Sequence, residues 1–419
     1  MTVAAVTSTS AIVRPFDVEA VRADFPILSR TVHGKPLAYL DTGASAQKPA
    51  VVLDVMRRAY EEEYANVHRG AYWLSERSTL AYEAARRKVQ GFLNAASERE
   101  IILTRGATEA INLVANSYGR AFLKSGDEIV LTELEHHSNI VPWQMLRDQL
   151  GLVLKVAPVR DDGSLDLDAF SDLLTPRTRL VAIAHVSNVL GTVLPVSDIC
   201  SRAHAVGAVV LVDGCQGAVH QEVDVQKLGC DFYVFSAHKL YGPTGVGVLW
   251  GRETLLDRMP PWMGGGDMIS SVTFEKSEWA SLPAKFEAGT PPIVQAIGLG
   301  AAIDYVAGID RGAVLDHETH LLSFTMEALS DLGGLTVHGT TAGKAGLVAF
   351  STTWAHPHDL ATVLDRQGVC VRAGHHCAQP LMARLGVSST TRASFGLYTN
   401  RADIDAFIKA LRLARDLFE

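Results

Sequence analysis

The stretch FSAHKLYGPTG, Phe235 to Gly245, closes an apolar run, DFYVFS, and leaves Ser236, His238 and Lys239 at its end. A lysine in that position is ordinarily a solvated cap on a strand. Here it has company. Four other apolar, β-branched runs also end in polar residues of distinct chemistry. IILT leads into Arg105-Gly106-Ala107-Thr108-Glu109. EIVLT and a short ELE lead into His136-His137-Ser138-Asn139. VAIA is followed by His185 and Asn188, and AVVLV by Asp213-Gly214-Cys215-Gln216. Ligands of open parallel sheets bind outside the carboxyl ends of the strands, so these five clusters read as parts of one site.

Together the residue types meet the needs of pyridoxal 5'-phosphate. Its aldehyde needs an amine, for which Lys239 is the candidate, in a site expected to favour the neutral form. The pyridine nitrogen needs a carboxylate, Asp213, and the ring face a flat side chain, His136. Phosphate needs backbone N–H groups at a helix start together with hydroxyls, which Gly106-Ala107-Thr108, Ser236 and His238 supply. Asn188 and Gln216 can hydrogen-bond the ring hydroxyl oxygen. Each part alone has a plainer reading: Asp213 as a turn residue, Thr108 as a helix cap, His136 as an ordinary hydrogen-bonded histidine. Their placement at successive strand ends favours the cofactor.

A separate candidate is Cys377 in VRAGHHCAQPLM. It follows Gly374-His375-His376 and precedes Pro380, which marks an exposed loop. Arg372 and the two histidines favour thiolate there, so Cys377 reads as a nucleophile. Metal binding by His-His-Cys is set aside, because adjacent histidines chelate poorly and no fourth ligand stands close by. Cys200, Cys215, Cys230 and Cys370 lie in apolar or small-residue settings and read as buried thiols. Five cysteines without a C-x-x-C pair suggest neither a disulfide framework nor a four-ligand zinc site.

The elements that must position these residues alternate. IILT, EIVLT, LVLKVAPV, RLVAIAHV, AVVLVD, DFYVFS and GVGVLW are separated by stretches of helical period such as VSDICSRAHAVG. That order predicts an α/β fold with a mostly parallel seven-stranded sheet and helices on both faces. Beyond about residue 295 two long helical patterns lead into short strands and a final helix, an α+β pattern. The chain has 419 residues, more than one core ordinarily holds. We expect a large cofactor-binding domain over 30–295 and a small domain of 1–29 with 296–419, its tail at about 1–14 loose. A formal charge of −8 argues against nucleic acid as a partner, and no apolar run reaches the roughly 20 residues of a membrane span. A cytoplasmic protein is expected.

Longer strings carry a resemblance. YLDTGASAQKP, NVHRGAYWLS, TRGATEAINLVA, ELEHHSNIVPW, HVSNVLGTVLPV, VDGCQGAVH, PPWMGGGDMI, FEAGTPP and VRAGHHCAQPLM, in this order, resemble the SufS-type (group II) cysteine desulfurases. These belong to the class V aminotransferase-fold family, pyridoxal-phosphate-dependent transferases of fold type I. The resemblance implies that Lys239 links the cofactor, that Asp213 and His136 hold its ring, and that Thr108, Ser236 and His238 bind its phosphate. It implies a homodimer in which Thr290 reaches the phosphate of the other subunit. Arg392, with Asn188 and Arg372, would take the carboxylate of L-cysteine. The departures are Ala107 where threonine is frequent, Cys215 for alanine, Thr42-Gly43 for Ser-Ala or Asn-Ala, and Lys285 for arginine; none touches the reacting atoms.

The implied reaction converts L-cysteine to L-alanine. Lys239 removes the α-proton, His136 donates or accepts a proton beside the ring, and Cys377 attacks the substrate sulfur to become a persulfide, which serves iron–sulfur cluster assembly. A selenocysteine lyase shares the fold and nearly all of the site, and a sulfur-delivery scaffold is a third reading. Upstream, Ala355-His356-Pro357-His358-Asp359 resembles members that work with a zinc-bound SufU-type acceptor, favoured over a SufE-type one, with His358 joining the acceptor's zinc. The plainer reading makes His358 the cap of the helix HDLATVLDRQG.

Overall fold

The computed structural model describes residues 16–419; the expected loose tail at 1–14 lies outside the described residues. The seven apolar runs form one sheet, in the order Ile101–Thr104, Gly247–Gly251, Phe232–Ser236, Val209–Asp213, Thr178–Ala184, Glu128–Thr132, Val153–Ala157. Five neighbouring strands are parallel, while Gly247–Gly251 runs antiparallel to both of its neighbours. Side chains alternate across a pleated strand, so a sheet covered on both faces needs apolar residues at every position. The inner strands largely obey this, while the edge strand Val153–Ala157 carries Lys155 and leaves Val153 and Val156 exposed. Ile101, Val181, Ile183, Val210, Val212, Tyr233 and Phe235 pack into one core, and Ile102, Leu180, Ala182, Leu211, Phe232 and Val234 into another. Continuous apolar runs were therefore the right signal, and a strict alternation would have been the wrong one.

The register brings the chemistry-bearing ends to one edge. Gly247 stands opposite both Thr104 and Ser236, and Asp213 stands opposite Ala184. Gly247 has to be glycine. A Cβ there would sit 2.4 Å from Gly106 Cα, which would push the turn at Gly106 off the sheet.

A second, antiparallel sheet has the order Leu335–His338, Leu347–Thr352, Thr390–Ser394, Arg372–Gly374. The helices Pro357–Arg366 and Arg401–Phe418 pack with it around a third core that includes Val348, Phe350, Leu364, Ala393, Phe407 and Leu411. Ala38 and Leu40 join this core, because the strand Ala38–Tyr39 pairs with Val369–Cys370. That pairing sets Asp41 beside the second sheet, bridged to Ser394. Among the described residues no helix is long and apolar enough to cross a membrane.

Candidate active site

The strand ends surround a cavity of about 240 Å³. On one wall the helix Ala107–Val114 starts at Gly106 without a side-chain cap. Ala107 N–H donates to Ser236 Oγ at 2.8 Å, and Thr108 and His238 line the wall beside them. An uncapped helix start with hydroxyls around it suits a bound anion. Asp213, Lys239 and His136 line the same cavity. Asp213 Oδ1 accepts from Cys215 N–H at 3.0 Å, which orients the carboxylate. His136 Nδ1 accepts from Ser138 N–H at 3.1 Å and lies 2.7 Å from Ser138 Oγ. Burial, and then the charge of Lys239, hold His136 down to about 4, so its ring is neutral near pH 7. The same causes, with Lys48 added, hold His238 down to about 4.

The remaining predicted residues fall in three places. Asn188 lines the cavity, and its Nδ2 donates to His376 O at 2.8 Å. Gln216 lies behind the wall, its Nε2 donating to Gly43 O at 2.8 Å. Thr290 is exposed and outside the cavity of its own chain.

Cys377 sits at the mouth with an exposed side chain. Both His376 and Cys377 have left-handed backbone, φ 53° and 55°, a conformation that costs non-glycine residues energy and has to be held by its surroundings. Contacts from other segments hold it: His137 N–H donates to Cys377 O at 2.7 Å, Asn188 Nδ2 donates to His376 O, and His376 Nε2 lies 2.9 Å from Thr390 Oγ1. Burial, and then Arg392, push His376 down to about 3, so it brings no positive charge to the loop, contrary to the expectation from sequence.

Arg392 is 2% exposed. Its guanidinium donates to Asn188 O at 2.8 Å and to Asp41 Oδ1 at 3.2 Å, while its Nε is buried with no partner. A buried unpaired donor of a guanidinium is costly unless an acceptor arrives, and a substrate carboxylate is such an acceptor. Arg372 lies directly opposite Arg392 across the two strands. Like charges so placed repel. Asp41 resolves the conflict by accepting from Arg372 Nε at 3.1 Å and from its terminal nitrogen at 2.8 Å while it also holds Arg392.

Asp41 is thus a site residue that sequence reasoning missed, although it stands in the string YLDTG. Glu135 is another. Fully buried beside His136, it accepts from Thr132 Oγ1 at 2.6 Å, Asn139 Nδ2 at 2.7 Å and Ala184 N–H at 3.0 Å. Burial pushes its carboxyl up to about 8, against these donors, which favour the charged form. The Glu-x-x-x-Asn spacing of Glu135 and Asn139 was the available signal. The reading of His358 as a helix cap is corrected: the helix begins at Pro357, and His356 is its cap, with Nδ1 accepting from His358 N–H. His358 is left exposed, its ring stacked on that of His356 at 5.5 Å.

Residues 38–407 match the family model described as aminotransferase class-V. The chain belongs to this class-V aminotransferase family. It is 51% identical over 398 residues to a cysteine desulfurase of Pectobacterium atrosepticum, a match covering 95% of this chain and 98% of the relative. A cysteine desulfurase of Yersinia pestis matches to the same extent. Among solved structures, the cysteine desulfurase CsdA of Escherichia coli, in an S-sulfonic acid form, superposes with a TM-score of 0.90 at 41% identity, covering 96% of this chain and all of that one. The apo cysteine desulfurase of Thermococcus onnurineus NA1 gives 0.89 at 39%, covering 96% and 98%. The class-V fold and the pyridoxal phosphate cofactor expected from sequence accordingly hold. The residues present fit that cofactor: an uncapped helix start for its phosphate, a buried carboxylate for its ring nitrogen and a lysine amine for its aldehyde all open on one cavity.

Proposed function

We propose that this class-V enzyme is a cysteine desulfurase that moves the sulfur of L-cysteine onto Cys377 and releases L-alanine. The observation that carries the reading is a cysteine thiol on the wall of the same cavity as Lys239, Asp213 and Arg392. An ordinary aminotransferase has no use for a thiol at that mouth. Pyridoxal phosphate, when bound, supplies the sink for the electrons released at the substrate α-carbon. Arg392, aimed by Asp41 and the Asn188 carbonyl, binds the substrate carboxylate and so fixes the α-carbon relative to Lys239. Lys239 carries the α-proton. Neutral His136 holds or yields a proton on the ring side. The Cys377 thiolate then attacks the substrate sulfur, an S–S bond forms as the C–S bond breaks, and the carbon left behind takes a proton to end as the methyl group of alanine.

The finer parts of the proposal concern partners and organisation. Persulfide sulfur passes to an acceptor protein for iron–sulfur cluster assembly, in a SUF-type system with a SufU-type acceptor. The exposed His358 ring supports this, being free to join an acceptor's zinc. Thr290, exposed outside its own cavity, supports a homodimer in which it reaches the partner's phosphate site. The third core, drawn from residues between 321 and 414, supports a small domain within 296–419 beside a large domain of 30–295, although Ala38 and Leu40 join that core and Val21, Phe25 and Leu28 of the N-terminal segment pack into the first one.

The test is persulfide mapping on the holoenzyme after L-cysteine, with alanine measured in parallel. Cys377→Ser should keep the bound cofactor and lose both the persulfide and alanine release. Cys215 is buried and its thiol is pushed up to about 12, so Cys215→Ser should retain the reaction. A persulfide that survives Cys377→Ser and disappears in Cys215→Ser would overturn the assignment.

A further inference from the structure

The loop that presents Cys377 also presents it to two imidazoles. His137, from the turn after Glu128–Thr132, and His375 each offer a ring nitrogen that lies, with Cys377 Sγ, in a group whose ligand atoms are all within 4.8 Å of one another. The rings face each other at 5.5 Å. Neither histidine has a part in the chemistry proposed above. The sequence pointed to His376 as the companion of His375, but His376 is buried against Thr390. His137 takes its place from far along the chain, and this removes the objection that neighbouring histidines chelate poorly.

Three features make the group a metal site rather than a chance cluster. Each imidazole has a lone-pair nitrogen, His375 Nδ1 accepting from Cys377 N–H at 3.1 Å and His137 Nε2 from Gln379 N–H at 3.1 Å, and a metal bound through either nitrogen would replace that hydrogen bond. An unprotonated imidazole nitrogen is the form that binds a metal. The backbone is already set, because His137 N–H bonds Cys377 O at 2.7 Å and so locks the two segments together. The required closure is small. Tetrahedral zinc with bonds of about 2.0–2.3 Å needs ligand atoms roughly 3.3–3.6 Å apart, so from a limit of 4.8 Å the side chains have to close by about 1.5 Å at most. His375 and Cys377 are exposed and can do so.

We propose that His137, His375 and Cys377 bind a zinc ion, its fourth place open to water or an incoming thiol, and that zinc held there masks the thiolate. The masking rests on the role of Cys377 proposed above; the metal binding does not. Binding displaces one thiol proton to solvent and forms two Zn–N bonds and one Zn–S bond, with no change of oxidation state, and any backbone N–H bond accepted by a ligating nitrogen passes to water.

The experiment uses the holoenzyme and two readouts besides activity. Cobalt(II), as a coloured substitute for zinc, should give thiolate-to-metal and tetrahedral d–d bands at one equivalent per chain, lost on addition of zinc. Zinc should also shield Cys377 from iodoacetamide, measured by mass spectrometry. In His375→Ala and in His137→Ala the zinc concentration for half-shielding should rise by more than the roughly 10–100-fold typical of losing an outer partner. Retained cofactor colour is the folding control, and the exposed His375→Ala alone suffices should His137→Ala fail it. Equal shielding in the wild type and His375→Ala, or no thiolate band with cobalt, would overturn the site. Should zinc shield Cys377 as expected while Cys377→Ser still forms alanine, the metal site stands and the functional reading falls.

Discussion

Replacing Asp41 by Asn tests how the carboxylate pocket is built. Asp41 is the single anion between Arg372 and Arg392, and its distance to the Arg392 guanidinium is 3.2 Å. At that separation, with an effective dielectric of about 20, the Coulomb attraction is about 5 kcal/mol. Removal of one partner of a buried pair typically costs about 3–5 kcal/mol. Most of that cost falls on the stability of the free enzyme. The part felt by the substrate is the loss of aim of Arg392 Nε, a charge-assisted hydrogen bond of about 1.5–3 kcal/mol. This corresponds to roughly a 10–150-fold rise in KM for L-cysteine, with a smaller change in kcat. The control is cysteamine, which carries the amine and thiol but no carboxylate. As a competitive inhibitor it should bind wild type and Asp41→Asn equally well, so the preference for L-cysteine should shrink by the same factor. Equal weakening of L-cysteine and cysteamine would refute the argument, because Asp41 would then be acting on the cavity as a whole.

Two further predictions follow from buried or displaced histidines. His185 is 5% exposed and held down to about 4 by burial, so the unfolded chain takes up its proton first as pH falls. Its contribution is present above about pH 6.5 and is lost toward pH 4, a change on the order of 3 kcal/mol. Glu135 titrates in the opposite sense, so the readout is a difference: the stability gap between wild type and His185→Asn, from denaturant melts, should narrow between pH 7 and 4, and a constant gap would contradict the burial argument. For His358, exposed beyond the cap formed by His356, His358→Ala should keep basal alanine release and lose stimulation by a zinc-loaded SufU-type acceptor; full stimulation would point to a zinc-free SufE-type acceptor.

The sheet and the residues at its edge were legible before any coordinates. A parallel sheet covered on both faces needs continuous apolar runs, and such runs stand out from helical periodicity. Because ligands gather at strand ends, the residues after Thr104, Asp213 and Ser236 could be grouped without knowing the strand order. What the sequence by itself could not determine were contacts made across register or loop closure. Arg372 faces Arg392 only because their strands pair antiparallel, and only that pairing makes Asp41 necessary. His356 displaced His358 as the cap, because the ring nitrogen of the residue before Pro357 is the one that reaches His358 N–H. His137 meets His375 and Cys377 because a strand-end turn of the large sheet docks on a loop of the small one. Spacing along the chain reports which residues share an element; which residues share a site depends on how the elements pack, and that was decided by the tertiary structure.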